Sequence, residues 1–283
     1  MRACKRVYGA VRGGTLVAGP WVGEFGWELF AWQAYVRAMS RDYEKTAVIC
    51  RPSSRGLYED FATEFIDTGP LDGLADSFFM HGVDIPTLLR AKLQSHRELL
   101  TSDTTVLTPR RIGMPPFTPC TDPAHFGERQ ITPEYITFGE AGNGEYDYVL
   151  HIRNRKLREE DNWSLESWEN LVQWLKDDGN GVACIGTKNE ASWVRGTIDL
   201  RDAPLKTVFS VLRGAKCAFG PSSGPMHLAS LCGTPHVVWS KEGNRERYQH
   251  TWNPLQTPVL FLSEHSWHPP AEYVFEKFNE WRR

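Results

Sequence analysis

Several familiar devices are missing from this sequence, and each absence narrows its chemistry. No Asp-x-Asp pair occurs in the 283 residues, so the paired carboxylates that commonly hold a divalent ion against a diphosphate are not there. No Gly-x-x-x-x-Gly-Lys-Ser/Thr loop occurs either, which excludes the phosphate cradle of the P-loop nucleotide hydrolases. The six cysteines, at 4, 50, 120, 184, 217 and 232, never form a Cys-x-x-Cys pair. Structural zinc is therefore unsupported, and the apolar runs around Cys50, Cys184 and Cys217 suit reduced, buried thiols. Apolar stretches are too short to span a bilayer, and the opening Met1-Arg-Ala-Cys-Lys-Arg-Val-Tyr8 is too polar for a secretory leader. These features predict a cytoplasmic protein without a transmembrane segment. Net charge is −3, so overall electrostatics do not call for nucleic acid. Local basic clusters remain at Arg2 to Arg12, Arg110-Arg111 and Arg153 to Arg158, and such a patch permits a polyanionic partner.

What is present is an alternation of strands and helices in a chain long enough for two domains. Thr15–Ala18, Thr46–Cys50, Phe65–Asp67 and Thr104–Leu107 read as strands. Between them, helices are predicted over Trp27–Met39, about Ser54–Glu64 and about Ile85–Leu99. Residues 109–146 break the pattern with six prolines and, towards the end, Gly139, Gly142 and Gly144, as a long irregular connection does. Alternation resumes with strands at Tyr146–Arg153, Val182–Ile185, Ile198–Leu200, Cys217–Phe219 and His236–Trp239, and helices at Ser164–Lys176 and Leu205–Leu212. Two such units imply an α/β fold of two doubly wound Rossmann-like domains facing across a cleft. The expected limits are 1–140 and 146–268, with a terminal helix in 270–283 packing back on the first domain.

The most informative stretch is Gly220-Pro-Ser-Ser-Gly-Pro-Met-His-Leu-Ala-Ser-Leu-Cys-Gly-Thr-Pro235. It reads as strand end, small-residue turn, short helix and glycine stop. Ser222 or Ser223 can cap a helix beginning near Gly224, and Gly233 can end it in a left-handed conformation. Helix-start N–H groups without bulky cover attract phosphate, and His227 lies one turn inside. A second motif, His151-Ile-Arg-Asn-Arg-Lys156, lies at the carboxyl end of a strand, where doubly wound folds bind ligands. Arg153 and Lys156 can meet a diphosphate with one forked and one point charge. A third, Gly19-Pro-Trp-Val-Gly-Glu-Phe-Gly-Trp-Glu28, joins the first strand to the first helix and offers two carboxylates. A last cluster, Arg245-Glu-Arg-Tyr-Gln-His-Thr-Trp-Asn-Pro254, offers Arg245, Arg247 and Tyr248 to close on the base, the phosphates or an acceptor.

Together these segments resemble the heptosyltransferase-like glycosyltransferases (glycosyltransferase family 9), which have the GT-B architecture. That group carries Gly-x-Asp-Ser/Thr-Gly-x-x-His-Leu-Ala-Ala before Gly-x-Pro. Gly220, Ser223, Gly224, His227, Leu228, Ala229, Gly233 and Pro235 match, while Ser222 replaces the acid. Its Arg-x-x-Lys followed by Trp is reproduced by Arg153, Lys156 and Trp163 with a longer spacer. Its Gly-Asp pair corresponds to Gly23-Glu24. The resemblance implies an inverting, metal-independent transferase acting on a nucleotide-sugar donor, with no cofactor. Donor contacts are then expected from Arg153, Lys156, Trp163, Gly220, Ser222, Ser223, Gly224, Met226, His227 and Arg247. The base that takes the acceptor hydroxyl's proton is Glu24 or Glu28. The expected acceptor is a surface glycan or lipopolysaccharide core, or a hydroxymethylated base in viral DNA. A monomer or weak dimer is expected. A sugar-nucleotide epimerase or hydrolase of the same architecture, or a non-catalytic binding module, are the alternatives.

Overall fold

A computed structural model describes residues 13–69, 84–109, 132–140, 144–177 and 179–283. The basic residues Arg2 to Arg12, Arg110-Arg111 and most of the proline-rich connection lie outside the described residues. The chain divides into two compact units, Met1–Glu134 and Tyr135–Arg283.

The first unit carries four parallel strands, β1 (Thr15–Ala18), β2 (Lys45–Cys50), β3 (Glu64–Asp67) and β4 (Thr104–Leu107), in the order β3-β2-β1-β4. After β1, α1 (Phe25–Trp27) runs through a π-helical turn (Glu28–Trp32) into α2 (Gln33–Ser40). Leu29, Phe30, Ala31, Trp32, Ala34, Tyr35 and Val36 are all buried, so this helix is a core element rather than a surface one. The helix expected over Ser54–Glu64 is instead a 3-10 segment at Pro52–Leu57. Pro52 opens it, and the apolar spacing beyond Gly56 is too sparse to bury a longer helix face. α3 (Ile85–Ser95) begins at an Asp84 cap whose carboxylate accepts from the Thr87 N–H at 3.1 Å. Its Leu89 and Leu93 pack on Val17, Ala47, Ile49 and Ile66 of the sheet.

The second unit has a six-stranded parallel sheet. Its strands are β5 (Tyr148–Leu150), β6 (Val182–Gly186), β7 (Ile198–Arg201), β8 (Cys217–Pro221), β9 (His236–Trp239) and β10 (Val259–Leu262). They lie in the order β10-β9-β8-β5-β6-β7, which places the first strand of the unit between its fourth and second. The helices are α4 (Leu165–Lys176), α5 (Leu205–Gly214), α6 (Gly224–Cys232) and α7 (Ala271–Trp281). Ser164 caps α4 by accepting the Ser167 N–H at 3.1 Å, and Trp168, Leu171, Val172 and Leu175 form its buried stripe.

The terminal helix corrects one expectation. α7 belongs to the second unit, where it packs on α4 and β10. Phe278 fixes it there, its ring edge-on to Tyr148 and Phe219 at centroid distances of 5.8 and 4.9 Å. Burying a phenylalanine in the core that α4 and α7 share on this sheet contributes roughly 1.5–3 kcal/mol.

In both sheets the strand order reverses beside the first strand of the unit, between β1 and β4 and between β5 and β8. At such a switch point neighbouring connections leave on opposite faces and open a crevice beyond the strand ends.

Candidate functional site

The β5/β8 switch point carries a direct link between two of the motifs. His151, immediately after β5, is buried, and its Nδ1 lies 2.9 Å from the Ser223 Oγ at the start of α6. Burial, helped by the Arg153 and Arg155 charges, pushes the His151 pKa down to about 3, so the ring is neutral at physiological pH. Ser223 occupies the N-cap position in an extended conformation (φ −163°), but its hydroxyl makes no capping bond. That corrects the expectation of a serine cap. Pro225, in the first turn, has no N–H to offer. Gly233 closes α6 at φ +68°, the left-handed conformation expected of it.

The ring system behind α6 is built by a second π-helical turn, Arg247–Thr251. It places Tyr248 flat against His227, with centroids 4.0 Å apart and 11° between planes. The Tyr248 hydroxyl accepts the Ser223 N–H at 3.0 Å. Trp252 meets His227 edge-on at 4.7 Å, and the Arg247 guanidinium lies 4.6 Å above the Trp252 ring. His227 is held well below its usual pKa, first by burial and then by Arg247 and His236. His227 is therefore a neutral, buried wall of the site, and Arg247 is its half-buried cationic edge.

Four of the sequence-expected contacts serve the fold instead. Arg153 is 3% exposed. Its guanidinium donates to the carbonyls of Leu157 and Arg158 at 3.1 Å each and to Asn162 Oδ1. Those bonds close the 153–162 loop and use the fork that was assigned to diphosphate. Asn162 completes the staple, accepting from the Arg155 N–H at 3.1 Å and donating to the Arg155 carbonyl at 2.8 Å; nothing in its sequence context singles it out. Trp163 is buried among Trp168 and Trp239, with its Nε1 donating to the Pro269 carbonyl at 2.8 Å. Gly220 and Met226 explain one another: the Met226 side chain fills the space a Cβ on Gly220 would take. Lys156, in contrast, is exposed and makes no ion pair or hydrogen bond among the described residues.

In the first unit, the loop after β1 is fixed at Gly19, whose φ of +119° and close approach to the Ile49 carbonyl leave no room for a side chain. Glu24 stands half-buried at the N-cap of α1, its carbonyl accepting the Glu28 N–H at 3.1 Å. Glu28 is fully buried. Its carboxylate accepts from Arg51 Nη2 at 2.7 Å, Ser54 Oγ at 2.9 Å and the Tyr58 hydroxyl at 2.7 Å. A carboxylate held by three donors and closed to solvent serves the packing of this loop, which argues against Glu28 and in favour of Glu24 as the base candidate.

Gly220-Pro-Ser-Ser-Gly224 also spells the Gly-x-Ser-x-Gly pattern of a hydrolase nucleophile elbow. The geometry does not support it. Ser222 lacks the strained positive φ of an elbow serine, and His151 pairs with Ser223 instead. Among the described residues no carboxylate hydrogen-bonds the His151 ring, and its depressed pKa makes it a poor base.

Among the described residues no helix is long and apolar enough to cross a membrane. No three His, Cys, Asp or Glu side chains among them are grouped as metal ligands.

No protein-family model and no curated protein sequence matches the chain. Solved structures do. A glycosyl transferase family 9 protein from Veillonella parvula is similar at 11% identity and a TM-score of 0.60, over 95% of this chain and 97% of that one. The Escherichia coli ADP-heptose lipopolysaccharide heptosyltransferase II is similar at 15% identity and a TM-score of 0.56, over 94% and 98%. The iron-containing dodecameric glycosyltransferase TibC of enterotoxigenic E. coli is similar at 15% identity and a TM-score of 0.51, over 89% and 63%. At these identities the likeness is one of fold, and it bears out the resemblance carried by the motifs: the chain has the GT-B architecture of the heptosyltransferase-like glycosyltransferases.

Proposed function

We propose that the protein is an inverting glycosyltransferase that takes its sugar from a nucleotide-sugar donor. The observation that carries this reading is the His151–Ser223 contact at the β5/β8 switch point. It brings two strand-end motifs together beside a helix start that no side chain caps. Donor diphosphate binds there, beside Ser222 and Ser223 and against the open N–H groups of Gly224 and Met226, with Lys156 and Arg247 as the cations that offset its charge.

In the reaction the acceptor oxygen bonds to the anomeric carbon as the bond from that carbon to the diphosphate oxygen breaks. The diphosphate leaves with the electron pair, and Glu24 takes the acceptor hydroxyl's proton. Main-chain N–H groups and basic side chains stabilise the leaving charge without a metal. The E. coli neighbour named for ADP-heptose makes ADP the first donor nucleotide to test, and a surface glycan or lipopolysaccharide core the first acceptor. A hydroxymethylated DNA base is the second acceptor to assay.

A thermal-shift panel of ADP, UDP, GDP and CMP tests the donor site. A nucleotide bound only by the folded protein raises the apparent stability by about 2.7 kcal/mol at a hundred times its Kd. A panel in which none shifts the transition would sink the reading. Transfer should persist in EDTA, and activity that vanishes there and returns with magnesium, manganese or iron would overturn its metal-independent part. Donor consumed at the same rate without any acceptor would favour the hydrolase or epimerase alternative.

A further inference from the structure

The serine at the start of α6 is in the place where a helix cap belongs, yet it does not cap. An N-cap serine ordinarily turns its oxygen onto the N–H of the second or third helical residue. Here Pro225 has no N–H, which leaves Met226 as the partner, and Ser223 makes no such bond. Its hydroxyl points to His151 Nδ1 at 2.9 Å instead. Among the described residues no acceptor meets the N–H groups of Gly224 and Met226, while the Ser223 N–H is held by Tyr248 and the His227 N–H by the Ser223 carbonyl.

The imidazole has little freedom to give the hydroxyl back. The His151 N–H donates to the Phe219 carbonyl at 2.9 Å. On the other side its ring edge lies against Gly186 at the end of β6, so closely that a Cβ on Gly186 would sit about 3.1–3.3 Å from ring atoms. The ring is thus wedged across three neighbouring strands. The groups facing it are Ser223 from α6, Gly186 at the end of β6, and the charges of Arg153 and Arg155 from its own loop.

We propose that His151 is a positioning residue that holds the Ser223 hydroxyl away from the start of α6, so that the first-turn N–H groups stay uncapped for the donor's diphosphate. This rests on the reading that the diphosphate binds at α6. The imidazole touches neither donor nor acceptor; it acts through Ser223. A bound diphosphate then supplies the cap that the protein withholds from itself, and a helix start left open in the free protein binds anions better than one already satisfied.

The test is a double-mutant cycle read by titration calorimetry on the full chain, with ADP, UDP or GDP as probe, whichever binds the unaltered protein. His151→Leu frees the hydroxyl to swing onto Met226 and should weaken nucleotide binding about tenfold. His151→Asn, whose amide keeps a partner for Ser223, should restore most of the affinity. In a Ser223→Ala background no hydroxyl can swing, so His151→Leu should cost little beyond what Ser223→Ala costs alone. An equal loss in both backgrounds would mean a purely packing role and would overturn the proposal. So would failure of His151→Asn to rescue. If His151→Leu does not fold, the unaltered protein gives an independent reading. The Gly224 and Met226 amide protons should shift downfield in NMR spectra when nucleotide is added, and their staying put would overturn the proposal. If no nucleotide binds the unaltered protein, the donor reading falls and takes this role with it. If one binds and the two substitutions act independently, the donor reading stands and only the role of His151 falls.

Discussion

The Glu28 carboxylate and the Arg51 guanidinium meet at 2.7 Å, with the Glu28 side chain wholly shielded from solvent and that of Arg51 14% exposed. The pair joins the π turn after β1 to the segment after β2, and Ser54 and Tyr58 complete its hydrogen bonding. Removing one member of a buried pair leaves the other charge uncompensated, at a cost of about 3–5 kcal/mol. Glu28→Ala should therefore lower the stability of the chain by that much in denaturant titrations. A loss below about 1 kcal/mol would return Glu28 to the list of acids free to do chemistry.

Glu24 is the base in the reaction proposed above. Glu24→Gln keeps size and hydrogen-bonding capacity and removes basicity. It should lower turnover by about 10²–10⁴-fold while donor affinity and unfolding midpoint hold. Near-normal transfer by Glu24→Gln would leave the reaction without an enzyme base in this loop.

Arg153 and Lys156 are separable although they are three residues apart. Arg153→Ala strips three acceptors of a charged donor and should cost about 2–4 kcal/mol of stability. Lys156→Ala should leave stability within about 0.5 kcal/mol and weaken nucleotide binding measurably. The reverse pattern, a stable Arg153→Ala protein that no longer binds nucleotide, would restore Arg153 to the diphosphate.

The contrast shows where sequence reading succeeds and where it stops. Hydrophobic spacing locates α4 and its buried stripe because Trp168, Leu171, Val172 and Leu175 face one neighbour, and period alone encodes that. β4 and the Gly233 stop are equally local. Arg153 and Trp163 are different. Their residue types suit a diphosphate and a sugar platform, but whether a side chain points outward depends on partners distant in sequence, such as the Pro269 carbonyl for Trp163. The Ser223 hydroxyl depends on His151, 72 positions away. α7 has an apolar face that fits either unit, and only the tertiary contact of Phe278 with Tyr148 and Phe219 decides between them.

Acid should destabilise the second unit through its neutral histidines. Burial holds His151 at about 3 and His236 at about 4, against 6.5 for the free side chain. As pH falls below about 6.5 the unfolded chain takes up protons before the folded one does. The stability these rings contribute is complete above that pH and drains away until their folded pKa values are passed. Between about pH 7 and about pH 5 the loss should approach 2 kcal/mol for each ring. Urea midpoints at those two pH values check it; a His236→Asn protein should show a shallower slope, and an unchanged slope would contradict the assignment.

The π turn at Glu28–Trp32 has a genetic corollary. It holds one residue more than an α-helical turn needs, so it is equivalent to a single-codon insertion retained inside a helix. Each residue of an α-helix advances the direction of its side chains by about 100°. Deleting any one of these five residues would let the turn regularise at almost no cost in backbone hydrogen bonds. Because a π turn closes in about five residues the circle an α turn closes in about four, the regularised helix would keep the Glu24 loop and α2 in nearly their present relation. A frame-preserving deletion within the turn should therefore be tolerated better than one inside α2, where the missing step would turn one helix face away from the core, and helical content should stay almost unchanged.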